Sequence, residues 1–361
     1  MELVDTHDSK SCAERHVGSI PTSGTTKRLE NVLVAKPQNM QLFFDILIAI
    51  LFSITVLPAV ILLSARTKRY NSWEYKHKKL SLLFAMSLLI GCTVLLYGSF
   101  VEPRILVTNY YEIDLPNLDK SIKIAFLSDF QAGKYKQTDW ITKLVNRILI
   151  LKPDLIFIGG DQVDNETYAP EEFSYLLPLK DLAKKIPTYA ILGNHEYGIG
   201  SGPSVDDPSF RVADMSNEAV NNLKDLGINI MLNNLEKITI NSSSFYLFGG
   251  DEYWGEHLKF DNLANRKDNI PTVALIHNPS FILESHPAMD LILSGHTHGG
   301  QIRLPFLGPI GIVDPVLPKK YYQGLNNLDT NERILVTSGA GESGARARLF
   351  NPPEIIFLTI K

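Results

Sequence analysis

Cysteine is almost absent from this chain. Its 361 residues hold only Cys12 and Cys92, both upstream of the part that carries the motifs described below. That part has no disulfide framework and no cysteine metal site open to it; the compartment is left open. Basic charge is not in excess either. The 35 Lys and Arg residues face 39 Asp and Glu, for a formal net charge of −4. This gives no electrostatic footprint for nucleic acid, and none is expected as a partner. Internal repeats and coiled-coil heptads are also missing.

What is present is unevenly spread. Residues 1–40 are polar, with scattered Ser, Thr, Gly and Pro, and read as a flexible tail. Two uncharged apolar runs follow within 41–102, Ile46–Leu63, broken only by Pro58, and the longer Leu80–Val101. Each is near the ~20 residues that cross a hydrocarbon core as a helix. Neither has a polar face, which argues against a buried core helix. The first starts after a long tail and is followed by the second, which argues against a cleaved signal. The pair predicts a transmembrane helical hairpin, in which Pro58 is tolerable.

The connector between them carries Arg66, Lys68, Arg69, Lys76, Lys78 and Lys79 against Glu74 alone. By the positive-inside rule it lies in the cytoplasm. The expectation is a multi-pass protein of the cell (inner) membrane, with the tail and residues 103–361 on the non-cytoplasmic side. Trp73 and Tyr75 would sit at the interface. With the tail neutral and 41–102 at +3, the domain 103–361 carries −7. So acidic a domain suits a phosphate only once bound divalent cations reverse the local sign.

Within 103–361, short apolar runs repeatedly end in a residue that can bind metal or move a proton. Lys123–Ser128 delivers Asp129 and Gln131, and Asp154–Ile158 delivers Asp161 and Asp164. Thr188–Leu192 delivers Asn194 and His195, and Thr272–Ile276 delivers His277. Leu291–Leu293 leads to Gly295-His296-Thr297-His298-Gly299-Gly300. Alternate residues on a strand point to opposite faces, but glycine lets the chain curl, so both imidazoles can face one pocket. Ligands just past the carboxyl ends of strands are the usual way an α/β fold builds a site. Helical stretches are expected from Thr138, over Leu176–Lys185 and over Ser216–Leu226, the last stopped by Gly227. Gly198–Asp214 is either a plain surface loop or a substrate-covering lid. Tyr253 and Trp254 would line the rim or pack elsewhere. Arg303, Arg346 and Arg348 would bind phosphate or face solvent.

The series Asp129-x-Gln131, Gly160-Asp161-x-x-Asp164, Gly193-Asn194-His195-Glu196, His277 and Gly295-His296-Thr297-His298 resembles the calcineurin-like metallophosphoesterase superfamily. Val101-Glu102-Pro103-Arg104, Gly299-Gly300-Gln301-Ile302-Arg303-Leu304-Pro305 and Asn351-Pro352-Pro353-Glu354-Ile355 are similar to its membrane-associated YaeI/YkuE-like branch. The resemblance covers roughly 101–361. It implies an α/β fold, a calcineurin-like β-sandwich flanked by helices, here preceded by the transmembrane hairpin. It implies two divalent metal ions (Mn, Fe or Zn), bridged by Asp161. The first would be held by Asp129, Gln131, Asp161 and His298, and the second by Asp161, Asn194, His277 and His296. His195 would protonate the leaving oxygen, with Asp164 holding its ring. Gln131 departs from the pattern, which usually has His there.

The function so implied is hydrolysis of phosphodiester or pyrophosphate bonds at a membrane, with lipid-linked substrates favoured by the anchor. The alternative is a membrane-tethered binding or scaffold protein with a decayed site. The intact Asp161, Asn194, His195, His277, His296 and His298 argue against it.

Overall fold

A computed structural model describes residues 40–200, 202–267, 269–328 and 332–361. The tail expected over 1–40 lies outside the described residues, except for Met40.

The apolar runs form two long helices, Met40–Lys68 and Lys78–Leu96. Ala59, Ala65 and Ala85 are buried, so small side chains let the helices approach. Ser81 Oγ donates to the Leu62 carbonyl across the pair (3.1 Å). Ser53, Thr55 and Thr93 turn their hydroxyls back onto carbonyls of their own helix. Leu42, Ile46, Ile50, Leu57, Leu83 and Ile90 point outward and are exposed. Two candidate membrane spans, Leu42–Lys68 and Lys78–Arg104, are each 27 residues long.

The second helix widens into a π turn, Tyr97–Val101, then tightens into a 3-10 turn, Glu102–Arg104. This junction is packed. The buried Glu102 carboxylate accepts the backbone N–H groups of Phe350 (3.0 Å) and Asn351. The Arg348 N–H donates to the Gly98 carbonyl (2.8 Å).

Two six-stranded sheets make up the rest of the core. In the first, Val107–Ile113 pairs with Glu354–Ile360, then follow Ile122–Leu127, Leu155–Gly159, Thr188–Ile191 and Asn229–Ile230. In the second the order is Gly324–Asn327, Arg333–Val336, Leu291–Ser294, Thr272–Leu275, Ser243–Gly249 and Asn234–Ile240. The central strands of both run parallel. Period-two alternation decides the layers. Ile124, Phe126 and Phe157 meet Phe245, Leu247, Val273 and Leu293 between the sheets. Ala125, Leu127, Ile156 and Ile158 face the other way, onto the helices.

Helix Thr138–Leu151 buries Trp140, Ile141, Leu144, Val145 and Ile148 against that outer face. The helix expected over 176–185 is shorter, Leu179–Ala183, and follows a 3-10 turn, Pro170–Leu176. Leu177 keeps helical backbone (φ −48°, ψ −36°), but Pro178 has no N–H to donate to the preceding turn, which splits the stretch. Ser216–Asp225 ends before Gly227, whose φ of 84° only glycine takes easily.

Candidate metal centre

Because the central strands run parallel, their carboxyl ends lie along one edge of the sandwich. Chain reversal there is abrupt. Asp129, Gln131, Asp161, His296 and His298 all take left-handed backbone, with φ between 48° and 69°. Such residues cost about 1–3 kcal/mol each and collect at functional sites. The glycines were expected to make the curl; His296 and His298 make much of it themselves. Gly295 serves a different need, close approach. A Cβ there would lie 2.1 Å from Ser128 Oγ and 2.3 Å from Asp129 Oδ2.

The side chains converge. Asp161 Oδ2 lies 3.0 Å from Gln131 Nε2, 3.2 Å from His277 Nε2 and 3.9 Å from His195 Nε2. Asn194 Oδ1 lies 3.1 Å from His277 Nε2 and 2.9 Å from His296 Nδ1. Asp129, Asp161 and His298 each offer one ligand atom within 4.8 Å of the others. Outer contacts aim these groups inward. Asn194 Nδ2 donates to the Ile199 carbonyl (2.6 Å), which turns its oxygen toward the histidines. His277 Nδ1 faces the Gly159 carbonyl (2.7 Å), which leaves Nε2 as the inward lone pair of the neutral ring. The Asp129 carboxylate accepts the His296 N–H (2.9 Å).

The donor set fits divalent cations, and buried atoms left without hydrogen-bond partners mark where. They include Gln131 Oε1, His296 Nε2 and His298 Nδ1. Gln131 is the odd member, because its amide nitrogen, not its oxygen, faces Asp161. A half-turn of the amide exchanges the two, and a cation beside Asp161 favours the oxygen.

Electrostatics point the same way. Burial acts to raise the Asp161 carboxyl, but His277 and His195 together outweigh it and hold it below the ordinary range. Burial acts to lower His277, but Asp161 outweighs it and lifts the imidazole to about 10. Burial pushes the Asp129 carboxyl up to about 6 and the His298 imidazole down to about 3. His296 is pushed well down, first by burial and then by His277. The pocket thus keeps His296 and His298 neutral, the form that ligates metal, whereas His277 holds a proton against Asp161 that a bound cation would have to displace.

His195 stands at the side of this cluster. Its Nδ1 contacts the main-chain carbonyl of Asp164, the residue expected to hold the ring. Its Nε2 lies 3.4 Å from Ser343 Oγ. Burial opposes protonation of His195, but Asp161 and Asp164 outweigh it and raise its pKa.

A cavity of about 250 Å³ opens over the cluster, lined by Asp161, Asn194, His195, His296 and His298 with Gly311–Val313 and Ser343–Ala345. The expected lid, Gly198–Asp214, contributes none of the described lining. Gln301 knits the wall: its side chain accepts the Ser343 N–H (3.0 Å) and donates to the Ser343 carbonyl (3.0 Å). Trp254 sets its ring edge-on to His296, with centroids 4.3 Å apart. Arg348 neither faces solvent nor reaches the cavity. It is fully buried and donates to the carbonyls of Ser338, Gly341 and Asn351.

Glu196, quoted in a motif but given no role, is a buried clamp. Its carboxylate accepts the N–H groups of Asp161, Gln162, Val163 and Gly193, tying two ligand-bearing strand ends together. Burial pushes it up to about 7.

A family model described as calcineurin-like phosphoesterase matches residues 122–300. An uncharacterized metallophosphoesterase of Campylobacter jejuni is 30% identical over 307 residues, 83% of this chain and 74% of that protein. The chain belongs to the calcineurin-like phosphoesterase family. It is accordingly a metal-dependent phosphoesterase. The phosphodiesterase YaeI of Escherichia coli is 31% identical over 243 residues, 66% of this phosphoesterase and 82% of YaeI. A Bos taurus transmembrane protein with a metallophosphoesterase domain is 26% identical over 308 residues, 79% of this chain and 64% of that protein. With the two candidate spans, this last likeness supports membrane association of the phosphoesterase.

Proposed function

We propose that the protein is a membrane-anchored dinuclear hydrolase of phosphodiester or pyrophosphate bonds, with lipid-linked substrates. It has three parts: the tail 1–40, the hairpin 41–102 and the catalytic domain 103–361. The observation that carries the reading is the convergence of donors on Asp161 and Asn194, each aimed by an outer hydrogen bond or ion pair. Asp129, Gln131, Asp161 and His298 hold one ion, and Asp161, Asn194, His277 and His296 hold the other. Their mixed nitrogen and oxygen set suits Mn, Fe or Zn better than Ca. When bound, such ions neutralise phosphoryl charge and supply a nucleophile at neutral pH. The protein's own side chains then position and transfer protons. His195, its tautomer set by the Asp164 carbonyl, donates a proton to the leaving oxygen. Purified protein should bind close to two ions and hydrolyse bis(p-nitrophenyl) phosphate with added Mn. Absence of both metal and turnover would leave a tethered binding protein instead.

The basic connector Arg66–Lys79 is assigned to the cytoplasm. A periplasm-active reporter fused after Lys361 should therefore be active, and a cytosol-active one silent. Cytosolic activity would reverse the orientation.

Gln131 gives a separate test. A neutral amide oxygen is a weaker ligand than imidazole for these metals, so the ion it touches should be lost most easily. Gln131→His should lower the Mn concentration needed for half-activation, by about tenfold if it recovers ~1.4 kcal/mol. Gln131→Ala should raise it. One activation curve shared by all three forms would remove Gln131 from the ligand set.

A further inference from the structure

The rim of the catalytic cavity carries an apolar segment that the chemistry does not use. Phe306, Leu307, Ile310, Ile312 and Val316 are all exposed, Phe306 completely, at 108% of its reference area. Strand Arg303–Leu304 pairs with Gly308–Pro309, so Pro305-Phe306-Leu307 forms the tip of a small hairpin. Removing one such side chain from water is worth about 1.5–3 kcal/mol. A contiguous surface of this kind marks a contact.

Its attachments decide which contact. At the base, Ile302 bridges Leu349, and the Arg303 N–H donates to the Leu349 carbonyl (2.9 Å). The neighbouring Arg348 N–H is bonded to Gly98, at the domain end of the second long helix. Phe350, beside it, is 62% exposed. Gly311, Ile312 and Val313, within the same segment, line the catalytic cavity. Another wall, Ser343–Ala345, runs into Arg346, which pairs with Asp45 of the first long helix (3.5 Å) and lies 5.0 Å from the centre of the Phe100 ring. The cavity is therefore bordered by the apolar segment and by the domain-side ends of both long helices.

We propose that segment 304–316 inserts into the bilayer crossed by the helical hairpin, holding the cavity against the membrane surface so that it takes the phosphoester of a lipid. Amphipathic segments reach about 5–10 Å into the headgroup and acyl boundary, a depth within reach of Phe306 and Leu307. Insertion stands on exposure and attachment. The lipid substrate rests also on the hydrolase reading above, and the test separates the two.

The full chain with Cys12→Ser and Phe306→Cys is labelled at residue 306 with an environment-sensitive fluorophore; Cys92 is buried. It is then reconstituted in phosphatidylcholine–phosphatidylglycerol vesicles. Blue-shifted emission, quenched by lipids brominated on the acyl chain, is the expected result. Water-like emission overturns insertion. A blue shift without bromolipid quenching also overturns it, and assigns the patch to a protein contact.

The second arm compares two substrates with one leaving group, phosphatidyl-p-nitrophenol in vesicles and soluble bis(p-nitrophenyl) phosphate. Phe306→Asp combined with Leu307→Asp should cut lipid turnover at least about tenfold, the loss of one or more buried side chains, and leave the soluble diester unchanged. Equal losses, or no loss, overturn the lipid presentation. If the unaltered protein hydrolyses neither substrate, the hydrolase reading and the lipid presentation fall together, and the fluorescence still decides insertion.

Discussion

Asp161→Asn is expected to abolish turnover, by at least about 10³-fold, or ~4 kcal/mol of transition-state stabilisation. One carboxylate oxygen, Oδ2, faces Gln131, His277 and His195, while Oδ1 accepts the His195 N–H (3.0 Å). Asn keeps the shape and one acceptor oxygen but removes the negative charge that holds the surrounding positive charge. If Asp161 bridges both ions, each loses a ligand at once, and metal content should fall from two toward one or none. Asp129→Asn should cost only the first ion. The measurement is metal content by atomic emission beside turnover, with circular dichroism to check folding. An Asp161→Asn protein that keeps two ions and a tenth of its activity would end the bridging assignment.

His195→Gln should lose about 10²–10⁴ in turnover on esters with poor, alkyl-type leaving groups, the range of a general acid. In the proposed mechanism the side chain acts on the leaving group and holds no metal. Its Nδ1 is held by the Asp164 carbonyl and its Nε2 borders the cavity. The raised pKa of the ring favours the protonated form that an acid needs. A nitrophenolate leaves with little help, so bis(p-nitrophenyl) phosphate should suffer far less. Metal content should stay at two. Equal losses on both substrate types would move His195 out of the acid role, and loss of one ion would make it a ligand.

The metal-centre candidates were legible because each sits one to five residues past an apolar run. A strand that ends in a ligand is a local pattern, and the strands at 122–127, 155–159, 188–191, 272–275 and 291–294 formed where the runs lay. The fold class followed from the same runs and from the motif spacing. Less legible were residues whose job is to hold others. Glu196 and Gln301 lie inside quoted motifs, but apart from Gly193 the partners named for them are backbone groups 33–35 and 42 residues away in sequence, which no local pattern reveals. Arg348 looked like a phosphate ligand or a surface residue, and only burial against three carbonyls disclosed a structural post.

The sequence by itself determined the apolar hairpin, the strand-end ligand candidates and the family, because these depend on hydrophobic period and spacing along one chain. Tertiary structure decided the rest. It set the Asp164 main-chain carbonyl against His195 Nδ1, a contact between two strand ends 31 residues apart in sequence. It walled the cavity with 311–313 and 343–345 and left the loop after Asn194 outside the described lining. It also tied the hairpin that bears the exposed apolar tip to the segment that meets Gly98, because Ile302 and Leu349 pair although 47 positions apart in sequence. Such contacts are fixed by how distant segments fill shared space, which local propensity does not encode.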